Sequence, residues 1–332
     1  MKKWKLKQPN LGLQKEIAQS LEISFVLAQI LINRGISSAR EAKDFLYCER
    51  NALHDAFLLK GMEKSVNRIE KAISLGQKIM VWGDYDIDGI TSCALLTSVL
   101  RKKQAQRVFH YLPNRLEEGY GLNDTGVAWA KKNGIDLLIT VDCGISAAEY
   151  ISDLKKTGID TIVTDHHHPT DSSFPESAWA VINPLQKDCA YPYKYLAGVG
   201  IAAKLAEALT ADSDYVLTEY LDIITLGTVG DVVPLTGENR ILVKRGLETF
   251  SATRNLGLKA LMEVAGLDKK QISARDIGYV LGPRINASGR LGAPDDSYHL
   301  LLADSEETAY TLAKKLDSKN RQRQQIESRT LQ

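Results

Sequence analysis

Between Lys78 and Ile182, short apolar runs alternate with longer stretches of helical periodicity. The apolar runs cover 79–82, 108–112, 137–141, 160–164 and 179–182, and their lengths suit strands. Because the runs are almost continuously apolar, both faces of each strand should be covered, which is typical of a parallel sheet between helices. The sequence therefore predicts an α/β fold with a five-stranded parallel sheet flanked by helices.

Helical patterns continue on both sides of this region. Before it, apolar residues recur at helical spacing over 20–34, a second helix should follow Ser37-Ser38, and a third covers 62–75. After Pro184 the pattern predicts further helices, ending in a long connecting helix from about Glu306 onwards. We expect an N-terminal helical segment over 1–60, a central domain over 61–255 and a helical extension over 256–332.

Charge and cysteine content exclude several protein classes. With 42 basic and 41 acidic residues the net charge is +1, which excludes a polycationic nucleic-acid coat but allows a local basic groove. The 4 cysteines form no CxxC pair, so neither a disulfide framework nor a structural zinc site is expected. No stretch is long enough to span a bilayer, and the basic start lacks a signal-peptide core. These features predict a soluble, cytoplasmic protein.

Three carboxylates follow the first apolar run, in Gly83-Asp84-Tyr85-Asp86-Ile87-Asp88-Gly89. On an extended segment alternate side chains share a face, so Asp84, Asp86 and Asp88 would project together. Charges grouped in this way cannot be buried without cations. For this motif alone, a solvated acidic turn that caps the next helix is an equal alternative.

Acids and histidines also follow later apolar runs. Asp142 comes after 137–141, and Asp165-His166-His167-His168 comes after 160–164. In open parallel sheets ligands bind at the carboxyl ends of strands, so these groups should meet the acidic motif. Asp231 stands among small and apolar residues and would need a cation if buried, although Asp142 or Asp231 could each cap a helix instead. Carboxylates with imidazoles predict a site for hard or borderline divalent metals, with more than one ion.

A glycine-rich segment near the end of the chain, GPRINASGRLG (282–292), places two arginines and two polar side chains on a predicted turn. Arginine binds phosphate with a fixed fork geometry, and glycines let backbone amides approach. Pro113-Asn114-Arg115 is a weaker candidate of the same kind. The alternative is that these arginines pair with neighbouring acids. Together with the metal ligands, the segment indicates a metal-dependent phosphoester hydrolase.

As a set, these motifs resemble the DHH phosphoesterases, and among them the RecJ type of single-stranded-DNA-specific exonuclease. The matching segments are GDYDIDGITS (83–92), VDCGIS (141–146), TDHHHP (164–169), GTVGDVVP (227–234) and GPRINASGRLG (282–292). The resemblance covers about residues 60–332 in family order. Members of this family normally carry a second domain beyond the connecting helix, and we expect this chain to be part of something longer.

The resemblance implies a centre with two Mn²⁺ or Mg²⁺ ions and assigns roles to individual residues. Asp86 would bind one ion and Asp88 the other, with Asp142 bridging them and His166 and Asp231 completing the second site. Two catalytic-motif residues are implied as well: His167, facing the scissile phosphate, and Asp84, outside the direct ligands. Substrate phosphates would contact Arg284, Asn286 and Arg290, and Arg115 would hold the 5′ end.

The implied reaction is stepwise 5′→3′ hydrolysis of single-stranded DNA to 5′-mononucleotides in DNA repair and recombination. Helicases or single-strand-binding proteins are the partners that this reaction suggests, and the oligomeric state stays open. Two other functions are alternatives. A DHH hydrolase of short oligonucleotides or cyclic dinucleotides is disfavoured by the GPRINASGRLG segment. A noncatalytic DNA-binding or replication-scaffold relative should lack metal-binding acids, and none is missing here.

Overall fold

A computed structural model of the chain describes residues 8–47, 53–267 and 271–330. At its centre five parallel strands pair in the order β2-β1-β3-β4-β5. The strands are β1 (Ile79–Gly83), β2 (Val108–Tyr111), β3 (Leu137–Val141), β4 (Asp160–Thr164) and β5 (Ala180–Ile182). The predicted α/β fold with a five-stranded parallel sheet is confirmed, and each strand end lies within about one residue of its predicted position.

Helices precede, separate and follow these strands. They are α1 (Leu11–Ser20), α2 (Phe25–Asn33), α3 (Ala39–Tyr47), α4 (Met62–Ser74), α5 (Ile87–Lys102), α6 (Asp124–Lys132), α7 (Ala148–Lys156), α8 (Gly198–Thr210), α9 (Ser213–Gly230), α10 (Gly237–Thr249), α11 (Leu256–Val264), the single turn α12 (Ala274–Asp276), α13 (Gly282–Arg290), α14 (Asp295–Leu301) and α15 (Glu306–Thr330). Within the described ranges, none of these helices combines the length and apolar character needed to cross a membrane.

Both faces of the sheet are covered because successive strand side chains point into different apolar clusters. In β1, Ile79 and Val81 pack into a cluster that includes residues of α5 and α8. Met80 and Trp82 pack into a second cluster with residues of α6 and α7. All four side chains are fully buried. This alternation explains the continuous apolar run and leaves the polar residues after each strand at one edge of the sheet.

The N-terminal helices form a small core of their own, separate from the sheet. The single helix predicted over 20–34 is wrong at its start, because α2 begins at Phe25, where the Ser24 hydroxyl caps it by accepting from the amide of Leu27. The N-terminal helices contact α10, where the Arg240 guanidinium lies 3.6 Å from the centre of the Phe45 ring. This contact joins the N-terminal helices to the rest of the described structure.

The C-terminal helices share the core of the sheet. Leu258 and Leu261 of α11, Leu300 of α14 and Leu316 of α15 belong to the same apolar cluster as Ile79. Apolar packing therefore continues across the predicted boundary between residues 255 and 256. The division into 1–60, 61–255 and 256–332 stays a prediction.

Candidate metal centre

The acidic motif after β1 starts a helix instead of forming an extended segment. The carboxylate of Asp86 accepts from the amides of Asp88 and Gly89, at 2.9 and 3.1 Å, and α5 begins at Ile87. The expectation of an extended triplet is therefore wrong, because capping by Asp86 places Asp88 in the first helical turn. Asp88 points towards α8, where the amides of Gly198 and Val199 donate to it at 2.6 and 2.8 Å.

His166 lies where several segments distant in sequence meet. Its Nε2 atom is 3.1 Å from Asp142 Oδ1, 3.7 Å from Asp231 Oδ2 and 3.9 Å from Asp88 Oδ2. Asp142 follows β3, His166 follows β4 and Asp231 follows α9. The structure thus brings together all the residues predicted as ligands. We call Asp84, Asp86, Asp88, Asp142, His166 and Asp231 the acid–histidine cluster.

The acid–histidine cluster has the donor atoms of a metal site and leaves four of them without a hydrogen-bond partner. Ligand atoms of Asp88, His166 and Asp231 lie within 4.8 Å of one another, and so do those of Asp84, Asp86 and Asp142. Four of these side chains carry a buried polar atom without a hydrogen-bond partner: Asp84 Oδ1, Asp142 Oδ1, His166 Nε2 and Asp231 Oδ2. Such atoms are costly in a folded protein unless something binds them. The cluster therefore fits two adjacent divalent cations, with Asp84 as a direct ligand candidate.

Burial and mutual repulsion disturb the protonation of these acids. Burial, followed by repulsion from Asp86, raises the pKa of Asp84 to about 7 and that of Asp231 to about 6. Burial and neighbouring carboxylates also raise the pKa values of Asp88 and Asp142. A bound cation would oppose these shifts, because an opposite charge favours the ionised form of a carboxyl group.

The two histidines of the motif have opposite electrostatic surroundings. Burial, together with the nearby His167, lowers the pKa of His166 to about 4 and keeps this imidazole neutral, the form that binds metals. His167 Nδ1 instead lies 2.7 Å from Oδ1 of the fully buried Asp165, and this hydrogen bond raises the pKa of His167. Although burial opposes ionisation of Asp165, hydrogen bonds from His167 hold the pKa of Asp165 below its usual range. Because Asp165 engages Nδ1, Nε2 is the atom that can act on a substrate.

A cavity of about 250 Å³ opens beside the acids. Its lining residues are Asp84, Tyr85, Asp86, Arg115, Tyr120, Asn286 and Arg290. The Arg115 guanidinium lies 5.2 Å from the centre of the Tyr85 ring. The hydroxyl of Tyr120 lies 3.3 Å from both Asp142 O and His167 Nδ1. Two arginines that line one cavity with two acids of the cluster make a pocket suited to a phosphate ester.

The segment predicted as a glycine-rich turn is helix α13, preceded by a π-helical turn over Ile277–Leu281. The expectation of a turn is wrong, because the backbone stays in a right-handed helical conformation from the π-helical turn into α13. This helix packs closely against the acidic motif, and a Cβ atom at Gly289 would overlap the carbonyl oxygen of Tyr85. Asn286 Oδ1 accepts from the Ile87 amide at 2.7 Å.

Arg284 lies apart from the other predicted substrate contacts. Its Nε and Nη2 atoms pair with Asp317 Oδ1 of α15 at 3.0 and 2.9 Å, and Nη1 donates to the carbonyl oxygen of Val280. Arg115, Asn286 and Arg290 line the cavity, whereas Arg284 does not. The role of Arg284 at a substrate phosphate stays a prediction.

Sequence reasoning assigned no role to several residues that build the site. Asp165 was part of the histidine motif, but only the structure shows that it holds His167. Tyr120 follows the Pro113-Asn114-Arg115 candidate in the sequence, but neither Tyr120 nor Gly198 was given a role of its own. A Cβ atom at Gly198 would lie 2.7 Å from the Cβ of Asp142, so only glycine allows this close approach. The glycines of the segment LAGVG (196–200) were the only available signal, and they do not indicate which side chain approaches them.

Comparisons with known proteins place the chain in a family. A model described as the DHH family, N-terminal domain, matches residues 78–228, which include all five strands. A crystal structure of exonuclease RecJ bound to manganese is 37% identical in sequence, with a TM-score of 0.74. The match covers 82% of this chain and 69% of that one. The chain belongs to the RecJ group of the DHH family.

Other RecJ proteins match over nearly the whole chain. The crystal structure of RecJ in complex with Mn²⁺ from Thermus thermophilus is 32% identical over 98% of this chain and 46% of that one, with a TM-score of 0.81. The single-stranded-DNA-specific exonuclease RecJ of Bacillus subtilis is 39% identical over 98% of this chain and 41% of its own length. For RecJ of Escherichia coli the identity is 39%, over 92% of this chain and 54% of the relative. The chain spans about half the length of these curated relatives.

Proposed function

We propose that this chain carries the catalytic centre of a metal-dependent exonuclease that degrades single-stranded DNA in the 5′→3′ direction to 5′-mononucleotides. The acid–histidine cluster carries the proposal, because four of its side chains hold buried polar atoms without a partner and two of its acids, Asp84 and Asp86, line a cavity together with Arg115 and Arg290. Relatives named as single-stranded-DNA-specific exonucleases support the substrate and the reaction. RecJ structures in complex with Mn²⁺ and Mg²⁺ support the identity of the ions.

The cluster divides into two ligand groups. Asp84 and Asp86 would hold one cation and Asp88, His166 and Asp231 the other, with Asp142 between them. Bound there, the cations would neutralise charge on the phosphoryl oxygens and make an attacking water more acidic. The amides of Gly198 and Val199 at the start of α8 donate to the Asp88 carboxylate and hold it in position.

The remaining residues would act on the substrate directly. Arg115, Asn286 and Arg290 would bind phosphate oxygens in the cavity, with Arg115 at the 5′ end. The water oxygen bonds to phosphorus, and the bond from phosphorus to the 3′ oxygen of the terminal nucleotide breaks. His167, oriented by Asp165, would deliver a proton from Nε2 to that leaving oxygen. The terminal nucleotide then leaves with a free 3′ hydroxyl.

End-labelled single-stranded DNA incubated with Mn²⁺ tests the proposal. A 5′-labelled single strand should release labelled mononucleotide at once, whereas a 3′-labelled single strand should shorten step by step. Duplex DNA that carries either label should not be cleaved. Asp142→Ala should abolish cleavage, because it removes the carboxylate that lies beside both ligand groups. Glu16→Ala, an exposed acid on α1, serves as the matched control and should cleave normally.

Two results would contradict the assignment. Equal turnover by wild type and Asp142→Ala would show that the acid–histidine cluster takes no part in the reaction. A strong preference for dinucleotides or cyclic dinucleotides over long strands would instead favour the DHH hydrolases of small phosphoesters. As part of the same proposal, we place the protein in the cytoplasm, in DNA repair and recombination, with helicases or single-strand-binding proteins as partners.

A further inference from the structure

A second cavity, of about 160 Å³, adjoins the one beside the acids. Its lining includes Gly278 of the π-helical turn, Gly282, Asn286 and Arg290 of α13, and Arg323 of α15. Asn286 and Arg290 line both cavities. The two cavities therefore meet along α13, and together they lead from Asp84 and Asp86 to the long helix α15.

The second cavity is cationic. Among its described lining residues, the ionisable side chains are Arg290 and Arg323, and no acid lines it. The carboxylate of Glu327, one helical turn after Arg323, lies between the two guanidinium groups. Its Oε1 atom is 2.5 Å from Arg323 Nη1 and 3.9 Å from Arg290 Nη1. The half-exposed carboxylate of Glu327 thus neutralises only one of the two arginine charges. The group of Arg290, Arg323 and Glu327 keeps a net positive charge.

The arginine pair is prepared to hold an oxyanion. Nε and Nη2 of Arg323 donate to Asn320 Oδ1 at 3.2 and 3.1 Å, which orients the guanidinium. Its side chain is only 18% exposed, so little further ordering is needed on binding. Because guanidinium groups bind carboxylate and phosphate oxygens in similar ways, the Glu327 carboxylate occupies a place beside Arg323 Nη1 and Arg290 Nη1 that a phosphate oxygen can take.

The wall of the second cavity gives a strand room to approach. Apart from its chain neighbours and its own helical turn, no described heavy atom lies within 4 Å of the position that a Cβ atom of Gly278 would take, so this backbone borders open space. Tyr279, the next residue, is 80% exposed. Grooves that bind single strands combine cationic residues along the backbone path with exposed aromatic side chains on which bases stack.

We propose that the second cavity is a subsite for another phosphodiester of the same DNA strand whose scissile phosphate lies at the acid–histidine cluster. Arg290 and Arg323 bind this phosphodiester, Glu327 is the carboxylate that it displaces, and Tyr279 offers a stacking surface. The inference rests on the proposed function, since it requires a single strand at the cluster. It adds Arg323, Glu327 and Gly278 to the residues that determine how strongly a strand binds.

Salt-dependent binding tests the subsite without hydrolysis. In an Asp142→Asn background, the affinity for 3′-fluorescein-labelled oligothymidylate is measured by fluorescence anisotropy at several NaCl concentrations. Each phosphate contact on a single strand contributes about 0.7 to the slope of log K against log[salt]. Arg323→Gln should therefore reduce the slope by about 0.7. Glu327→Gln should tighten binding several-fold, because it removes the competing charge.

A matched control and two contrary outcomes complete this experiment. Arg254→Gln, at an arginine that is 87% exposed and lines neither cavity, should leave slope and affinity unchanged. An unchanged slope for Arg323→Gln, or binding that is not tightened by Glu327→Gln, overturns the inference.

Filling the second cavity provides a test that does not depend on charge. Gly278→Leu should extend a side chain into open space without a clash inside the protein, and Gly278→Ala is its small matched control. The measured quantity is the ratio of kcat/KM for a 20-nucleotide strand to kcat/KM for the p-nitrophenyl ester of thymidine 5′-monophosphate, which lacks a second phosphodiester. Gly278→Leu should lower this ratio at least tenfold. An unchanged ratio contradicts the subsite, whereas a wild-type protein that cleaves no strand contradicts the proposed function instead.

Discussion

Replacing Asn286 with alanine should weaken the binding of divalent cations, although Asn286 is not itself a metal ligand. Its Oδ1 atom accepts from the Ile87 amide at 2.7 Å, and Ile87 lies between Asp86 and Asp88 with 1% of its surface exposed. As the first residue of α5, Ile87 has no acceptor for this amide within the helix. The substitution therefore leaves a buried donor without a partner.

The size of the effect follows from that lost hydrogen bond. An unsatisfied buried amide costs about 1–3 kcal/mol, and the acidic turn can avoid the cost by leaving its present conformation. Cation binding must then restore the arrangement of Asp86 and Asp88. If the whole penalty falls on binding, the Kd for Mn²⁺ rises by about 5- to 150-fold, since about 1.4 kcal/mol corresponds to a factor of ten.

Titration with Mn²⁺, followed by the electron paramagnetic resonance signal of the free ion and without DNA, measures this Kd. Asn255→Ala is the matched control. Asn255 caps α11 by accepting from the Leu258 amide at 2.9 Å, and it donates to the carbonyl oxygen of Leu301 at 2.8 Å, so its loss affects stability outside the cluster. Mn²⁺ binding as tight as wild type in Asn286→Ala, or equally weakened in Asn255→Ala, would refute the reasoning.

Two further predictions concern protonation and the histidine motif. In the metal-free protein the free energy of unfolding should fall as pH rises from about 4 through about 7, because the folded state keeps protons on Asp84 and Asp231 that the unfolded state has lost. Urea unfolding at pH 5 and pH 8 should show a smaller decrease in Asp84→Asn, and an identical one would contradict this assignment. Asp165→Asn should lower the free energy of unfolding by about 1–3 kcal/mol, because one amide oxygen cannot accept from Ile145 N and both donors of His167. It should also lower kcat on single-stranded DNA more than it changes KM, and a wild-type kcat would exclude an orienting role for Asp165.

Local patterns in the sequence were sufficient to place the strands and to group the acids and histidines that the structure brings together. The runs at 137–141 and 160–164 became β3 and β4 with the predicted bounds, because burial on both faces demands continuous apolar residues. Asp142 and His166 could be grouped for a related reason. Polar residues directly after parallel strands necessarily lie at the same edge of the sheet.

Local patterns could not show how that edge is assembled. The sequence allows Asp86 to cap a helix or to bind a metal, and only the start of α5 shows the cap, while the glycines of 282–292 fit a turn as well as a helix. The contact between Ile87 and Asn286 joins residues 199 positions apart, and the contact between Asp88 and Gly198 joins residues 110 positions apart. Periodicity and capping act within a few residues, so the sequence alone determined the strands and the chemical character of the site. Packing of distant helices against one another decided which donor meets which acceptor, and therefore which acids stand close enough to share a cation.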